Sequence, residues 1–125
     1  MNSETIRRVV QDKELASLGD AFVNFIYSLA LTKTRGRPQA TKVSDRILSD
    51  AFRNAGLREH LGSRLSRKEL ANGAESLLVE AYRRQLITID ESVSILSQGS
   101  PGLEDGLAHL LKLTAQRLGA SCENG

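Results

Sequence analysis

Apolar residues recur along this sequence every three or four positions, which is the spacing of an amphipathic helix rather than of a strand. Short breaks that contain Gly, Ser or Pro separate the periodic segments. Because aromatic residues make up only 4% of the chain, the core must be filled mainly by Leu, Ile, Val and Ala. We therefore predict an all-α fold of about six helices, forming one domain over residues 1–125 with a frayed tail from about residue 119.

The longest apolar segment, Leu15 to Leu31, has apolar residues on nearly every side of a helix and a single charge, Asp20. This pattern predicts a helix that is buried nearly all round. The segment is short for a membrane span and includes polar residues such as Ser17 and Asn24, so a core helix is favoured. Because one small domain cannot easily cover a helix on all sides, we predict a homodimer with this helix at the interface.

The segment after this helix, Lys33 to Pro38, is predicted to be a basic loop. Ser44 can cap a helix that Gly56 ends, since a hydroxyl accepts from free amides and Gly adopts the left-handed conformation. A short turn over residues 57–61 follows.

Two later helices start with capping-box spacing, in which a hydroxyl and a carboxylate each satisfy a free backbone amide. The boxes are Ser66–Glu69 and Thr88–Glu91. A last helix starts at Pro101, because Pro is favoured at the first helical position. The predicted helices run from Ser66 to about Leu86, from Thr88 to Leu96 and from Pro101 to Gly119.

The formal net charge of +2 conceals a basic segment. Residues 33–68 hold ten of the 17 basic residues and three of the 15 acidic ones, so this segment carries +7 and the rest −5. Such a segment suits a phosphate backbone, although a solvated helical surface has the same composition. The single cysteine, Cys122, cannot form an internal disulfide, and the N-terminus lacks the apolar run of a signal sequence. We therefore expect a cytoplasmic protein.

Two acids, Asp20 and Glu75, interrupt the apolar parts of the two long helices, where an unpaired carboxylate would be costly to bury. Ser17 and Asn24 share a helix face with Asp20, and Asn72 shares a face with Glu75. If these polar stripes meet, they could hold a hard cation such as Mg²⁺. The alternative is a pair of structural acids that form ion pairs with buried Arg residues or lie at a polar interface.

The residues around these acids resemble the catalytic domain of the ribonuclease III family. Leu15–Ala21 is similar to the family's signature helix, which ends in Leu-Gly-Asp-Ala. Leu70–Tyr82 is similar to a later helix that carries Glu and Tyr in the same register as Glu75 and Tyr82. Between them, residues 42–48 and 55–57 resemble the family's connecting helix and its Gly-Leu ending.

The sequence also departs from the larger enzymes of this family. They have a Glu four residues before the signature Asp and an Asp three residues before the later Glu, where this chain has Ala16 and Asn72. The family's Gly in the later helix is Val79 here, and we expect no double-stranded-RNA-binding domain to follow. The chain therefore most resembles the compact Mini-III enzymes, which lack that appended domain.

The resemblance implies a Mg²⁺-dependent endoribonuclease that cuts double-stranded or structured RNA as a homodimer, with Mn²⁺ as a substitute metal. It implies that Asp20 and Glu75 are the catalytic metal ligands. The supporting residues would be Asn72, Ser17 and Asn24. The RNA backbone would be bound by Arg35, Arg37, Lys42 and Arg46.

Two other interpretations remain open from the sequence. The first keeps the fold without catalysis, as a helical dimer that binds structured RNA or a ribonucleoprotein, and the loss of two acids favours it. The second treats Arg46 to Leu61 and the helix after Ser66 as a helix-turn-helix on DNA, but it leaves Asp20 and Glu75 unexplained.

Overall fold

A computed structural model describes residues 3–61 and 64–124, with side chains described for residues 4–61 and 64–119. In these ranges the chain forms six α-helices and one 3₁₀ turn, Arg58–His60, and no strand. The predicted all-α domain of about six helices is confirmed. The helices are α1 Ser3–Val10, α2 Lys13–Arg35, α3 Asp45–Asn54, α4 Arg67–Arg83, α5 Ile89–Ser97 and α6 Leu103–Asn124.

The predicted hydroxyl caps are present. The side chain of Ser44 accepts from the Ile47 amide at 3.2 Å, and α3 is followed by Gly56 with φ +74°. Both bonds of the Ser66–Glu69 capping box form at the start of α4. These signals were readable in the sequence because a cap depends only on neighbours within one turn.

The helix α2 is longer than predicted, and Lys33–Arg35 belong to its last turn rather than to a loop. The helix begins after Asp12, whose carboxylate accepts from two backbone amides, and it ends at Gly36 with φ +74°. Basic side chains suit this position because a helix C-terminus carries partial negative charge. The prediction was wrong because Gly36, rather than the basic residues, is the stop signal.

Two other helix bounds also differ from the prediction. The helix α4 ends at Arg83 rather than near Leu86. The helix α6 begins at Leu103, after Pro101, and the Asp105 carboxylate accepts from the Gly102 amide at 3.2 Å just before it. Its backbone stays helical through Gly119 to Asn124, because Gly weakens a helix interior without ending the helix.

The helices α2 and α4 pack against each other at the centre, and α3 and α6 pack onto α4. The prediction that the helix over Leu15 to Leu31 is buried nearly all round does not hold within the single chain, because Leu18 is 51% and Phe25 is 52% exposed. By length and composition α2 could cross a membrane, but its buried residues, including Val23, Ile26 and Ala30, belong to the protein core.

The contact between the two central helices is closest at Gly19. A Cβ atom at this position would overlap the Glu75 carbonyl oxygen and would lie 2.5 Å from the carbonyl carbon and 2.9 Å from the Glu75 Cβ. The absence of a side chain at Gly19 therefore lets the backbone of α2 touch the backbone of α4 at the residue that carries the second acid.

Polar side chains one turn apart on α2 bind the loop that follows it. Ser28 and Thr32 each accept from a backbone amide and donate to a backbone carbonyl, of Thr41 and Gln39 respectively, at 2.9–3.2 Å. The amide oxygen of Asn24 accepts from the Val43 amide at 2.8 Å. We call these three side chains the polar ladder, because their spacing of four pairs with alternate residues of the loop.

Candidate metal and RNA site

A pocket of about 560 Å³ opens where α2, the start of α3 and α4 meet. Asp20 and Glu75, which are far apart in the sequence, both line it. They are joined there by charged, polar and small side chains from three segments. The other lining residues are Lys13, Ala16, Ser17, Lys42, Val43, Ser44, Asp45, Lys68 and Asn72.

The two acids of this pocket differ in their environments. Glu75 is 5% exposed, whereas the side chain of Asp20 is 45% exposed. Burial, a hydrogen bond with Asp20 and repulsion by that carboxylate raise the pKa of Glu75 to about 8. The same hydrogen bond is the largest of the effects that lower the pKa of Asp20. Near neutral pH the pair therefore shares one proton, which Glu75 holds while Asp20 stays ionised.

Asp20 has two further polar neighbours. The Lys42 ammonium lies 3.5 Å from its Oδ1. The Asn24 amide donates to the same oxygen at 3.4 Å while accepting from Val43. Asn24 thus orients Asp20 from outside the pocket lining, whereas Ser17 and Asn72 line the pocket itself.

Three lysines line the same pocket as the acids, and two of them, Lys13 and Lys68, were not predicted from the sequence. Lys68 lies 3.4 Å from the carboxylate of Asp45, a third acid of the pocket, at the start of α3. The sequence did hold a signal, because Lys13 precedes Asp20 by seven residues and Lys68 precedes Glu75 by seven. A spacing of seven places two residues on the same helix face.

The sequence profile described as Ribonuclease III matches residues 13–119. The chain belongs to the ribonuclease III family. The match covers both acids and all the helices of the pocket, and it confirms the family that the motifs resembled. Membership in this family indicates an RNA endonuclease. No curated protein matches the chain.

The remaining basic residues assigned to RNA from the sequence lie outside the pocket lining of this ribonuclease III domain. Arg46 faces the carboxylates of Asp50 and Glu104 at 3.6 and 3.7 Å. Arg35 donates to the Gln39 side chain at 3.0 Å, and Arg37 is exposed in the loop after α2. Of the four, the structure therefore brings only Lys42 to the acids.

The chemistry of the donors fits one hard cation. Among the described residues, no group of three or more His, Cys, Asp and Glu side chains is arranged to hold a metal. Asp20 and Glu75 supply two carboxylates, and Asn72 and Ser17 supply neutral oxygens at the same pocket. Mg²⁺ is commonly held by one or two carboxylates together with waters and substrate phosphates, so this set suits a single Mg²⁺.

A separate apolar surface lies on the outer side of the two central helices. Leu18 and Phe25 of α2 are 51% and 52% exposed, and Tyr82 of α4 is 40% exposed. The Tyr82 ring lies 4.8 Å from that of Phe22, centroid to centroid. We call Leu18, Phe22, Phe25 and Tyr82 the apolar face.

Proposed function

We propose that this protein is a Mg²⁺-dependent endoribonuclease that hydrolyses phosphodiesters in double-stranded or structured RNA. The observation that carries the proposal is the meeting of Asp20 and Glu75 in one open pocket, within hydrogen-bonding contact of each other. Two carboxylates that must share a proton form a site that a divalent cation would stabilise. Asp20 forms its ion pair with the exposed Lys42, so a metal cation can take the place of the Lys42 ammonium group.

In this proposal Asp20 and Glu75 hold the metal. When bound, Mg²⁺ lowers the pKa of a coordinated water and compensates the charge on the scissile phosphate. Asn24 keeps the Asp20 carboxylate in place through its bond to the Val43 amide. Glu75 would release its proton to solvent as the cation binds, and Asn72, which lines the pocket, would offer an amide to water or phosphate.

We also propose that the active form is a homodimer. The apolar face is an exposed aromatic and aliphatic surface on α2 and α4, the helices that carry Asp20 and Glu75. A second copy that covers it would bury this surface and place two cleavage sites in one particle. One site could then act on each strand of a duplex.

The activity is tested by incubating the purified protein with labelled duplex RNA in Mg²⁺, in Mn²⁺ and in chelator. We expect cleavage with either metal and none in chelator. Asp20→Asn and Glu75→Gln should lose cleavage, whereas Asp90→Asn, an exposed acid on α5, should retain it. Cleavage that persists in Glu75→Gln would contradict the assignment of this residue.

The oligomeric state is tested by light scattering at micromolar concentration. We expect a dimer for the parent and for Ala40→Glu, a charge placed on the exposed loop. The double variant Leu18→Glu, Phe25→Glu should be a folded monomer, because two charges would enter a covered apolar surface. A monomeric parent would contradict the dimer.

A second candidate is a catalytically weak or inactive dimer that binds structured RNA. It is favoured by Ala16 and Asn72, which line the pocket at the two positions where the larger enzymes have acids. Duplex binding without cleavage under all metal conditions would support this candidate.

A further inference from the structure

The three lysines of the pocket come from three different segments. Lys13 is the first residue of α2, Lys68 is in the first turn of α4, and Lys42 is in the loop before α3. Lys13 and Lys68 lie on the same faces as Asp20 and Glu75, respectively, two turns toward the N-terminus. The two turns correspond to a rise of about 10 Å along each helix.

Ion pairing contributes little to stability at Lys42 and Lys68, and Lys13 is exposed as well. The side chains of Lys42 and Lys68 are 76% and 69% exposed, and their ion pairs are long, at 3.5 and 3.4 Å. Exposed pairs of this kind contribute little to folding, because solvent screens them and ordering long side chains costs entropy. The ammonium groups of Lys42 and Lys68 can therefore leave their carboxylate partners and bind another anion instead.

Charge identifies the class of that anion. Cations around a pair of metal-binding carboxylates weaken the attraction of the pocket for a free metal ion. They strengthen its attraction for a polyanion that enters together with the metal. A strand of RNA provides several phosphates in a row, so one can lie at the carboxylates while its neighbours lie at the ammonium groups.

We propose that Lys13 and Lys68 bind the phosphates next to the scissile phosphate and thereby position the strand that is cut. This inference rests on the proposed function and deepens it. The two lysines act on substrate position, and Lys42 exchanges its contact with Asp20 for a phosphate when RNA binds. Such contacts carry no base specificity.

The test measures binding of two unrelated RNA duplexes in chelator, by fluorescence anisotropy from about 50 to about 200 mM salt. Lys13→Gln and Lys68→Gln should each weaken binding several-fold and equally for both duplexes. Each should also reduce the slope of log affinity against log salt by about one, the value expected for one phosphate contact. The control is Lys112→Gln, an exposed lysine on α6 outside the pocket, which should bind as the parent does.

The arginine variants Lys13→Arg and Lys68→Arg should retain binding, because the positive charge is kept. Parent-like affinity and salt slope in the double variant Lys13→Gln, Lys68→Gln would overturn the inference. A thermal midpoint well below that of Lys112→Gln, together with lost binding, would also overturn it by showing a role in folding.

Cleavage measurements separate the two proposals. If the parent does not cut duplex RNA but the lysine variants still lose affinity and salt slope, the nuclease proposal fails and the phosphate contacts stand. If the parent cuts RNA and both glutamine variants bind and cut as it does, only the lysine inference fails. For a cutting parent we expect a raised KM in the glutamine variants.

Discussion

Replacing Gly19 by Ala tests whether the close approach of α2 and α4 sets the geometry of the site. The new Cβ would lie 2.5 Å from the Glu75 carbonyl carbon, whereas ordinary van der Waals contact begins at 3.4 Å. Because the obstacle is helix backbone rather than a flexible side chain, the two helices must separate locally by on the order of 1 Å. Asp20, the next residue, moves away from Glu75 with that separation.

Two opposing effects set the size of the stability change. Overpacking a tight helix contact lowers the free energy of unfolding by about 1–3 kcal/mol. Ala in place of Gly in a helix interior raises it by about 1 kcal/mol. We expect a net loss of about 1 kcal/mol and a fall in the thermal midpoint of about 4 °C. Gly19→Val should lose more, because its side chain is larger and β-branched.

The effect on cleavage should be larger than the effect on folding. A displacement of about 1 Å at a catalytic group can reduce the rate by about 100-fold. The assay pairs thermal melts with single-turnover cleavage of duplex RNA, and the control is Gly102→Ala, where a Cβ meets nothing within 4 Å. A Gly19→Ala protein with parental melting and parental cleavage would refute the reasoning.

Three other predictions concern stability in metal-free buffer. Since the pKa of Glu75 is raised from 4.5 to about 8, the folded protein keeps a proton that the unfolded chain releases, so stability should fall as the pH rises between these values. Melts of Glu75→Gln should lack this fall, and an unchanged pH dependence would contradict the assignment. Arg117 donates to the Leu86 carbonyl at 2.7 Å and to both Glu91 oxygens at 2.7 and 2.9 Å. Because the Arg117 and Glu91 side chains are about one-third exposed and solvent screens their charges, Arg117→Met should lower the free energy of unfolding by only about 1 kcal/mol. A double-mutant cycle with Glu91→Gln checks it, and zero coupling would refute the contact. Ser44→Ala should cost about 1 kcal/mol in urea unfolding by removing the cap of α3, and Ser44→Asn should restore most of it.

Features that depend on neighbours within one turn were predictable from the sequence. The caps at Ser44 and Ser66, and the polar faces of Asp20 and Glu75, are of this kind. The partner of a long surface side chain was not predictable, because it depends on how helices pack. Arg46 lies 3.7 Å from Glu104 of α6, a contact that only the packing of α3 against α6 determines, and its assignment to RNA stays a prediction.

The same distinction explains what was missed at the site. Lys13 shares a helix face with Asp20, but the sequence does not show that this face of α2 lies toward α4. The spacing of seven from Asp20 becomes informative only once the acid is accepted as part of a pocket. Leu18 is likewise exposed in the single chain, because the pattern of one helix cannot say which of its apolar faces the same chain covers and which a second copy would cover.

The polar ladder has a consequence for how this sequence can change. Four helical residues rise about 6.0 Å and two extended residues span about 6.6 Å, so the steps of helix and loop match over Asn24, Ser28 and Thr32. A residue inserted among positions 36–38 would leave all the hydrogen bonds of the polar ladder intact. A deletion between Gln39 and Val43 would shift the loop by one residue and turn the wrong backbone groups toward the helix. We expect length variation in this loop to be confined to its first three residues, with Lys42 held at a constant distance from Asp20.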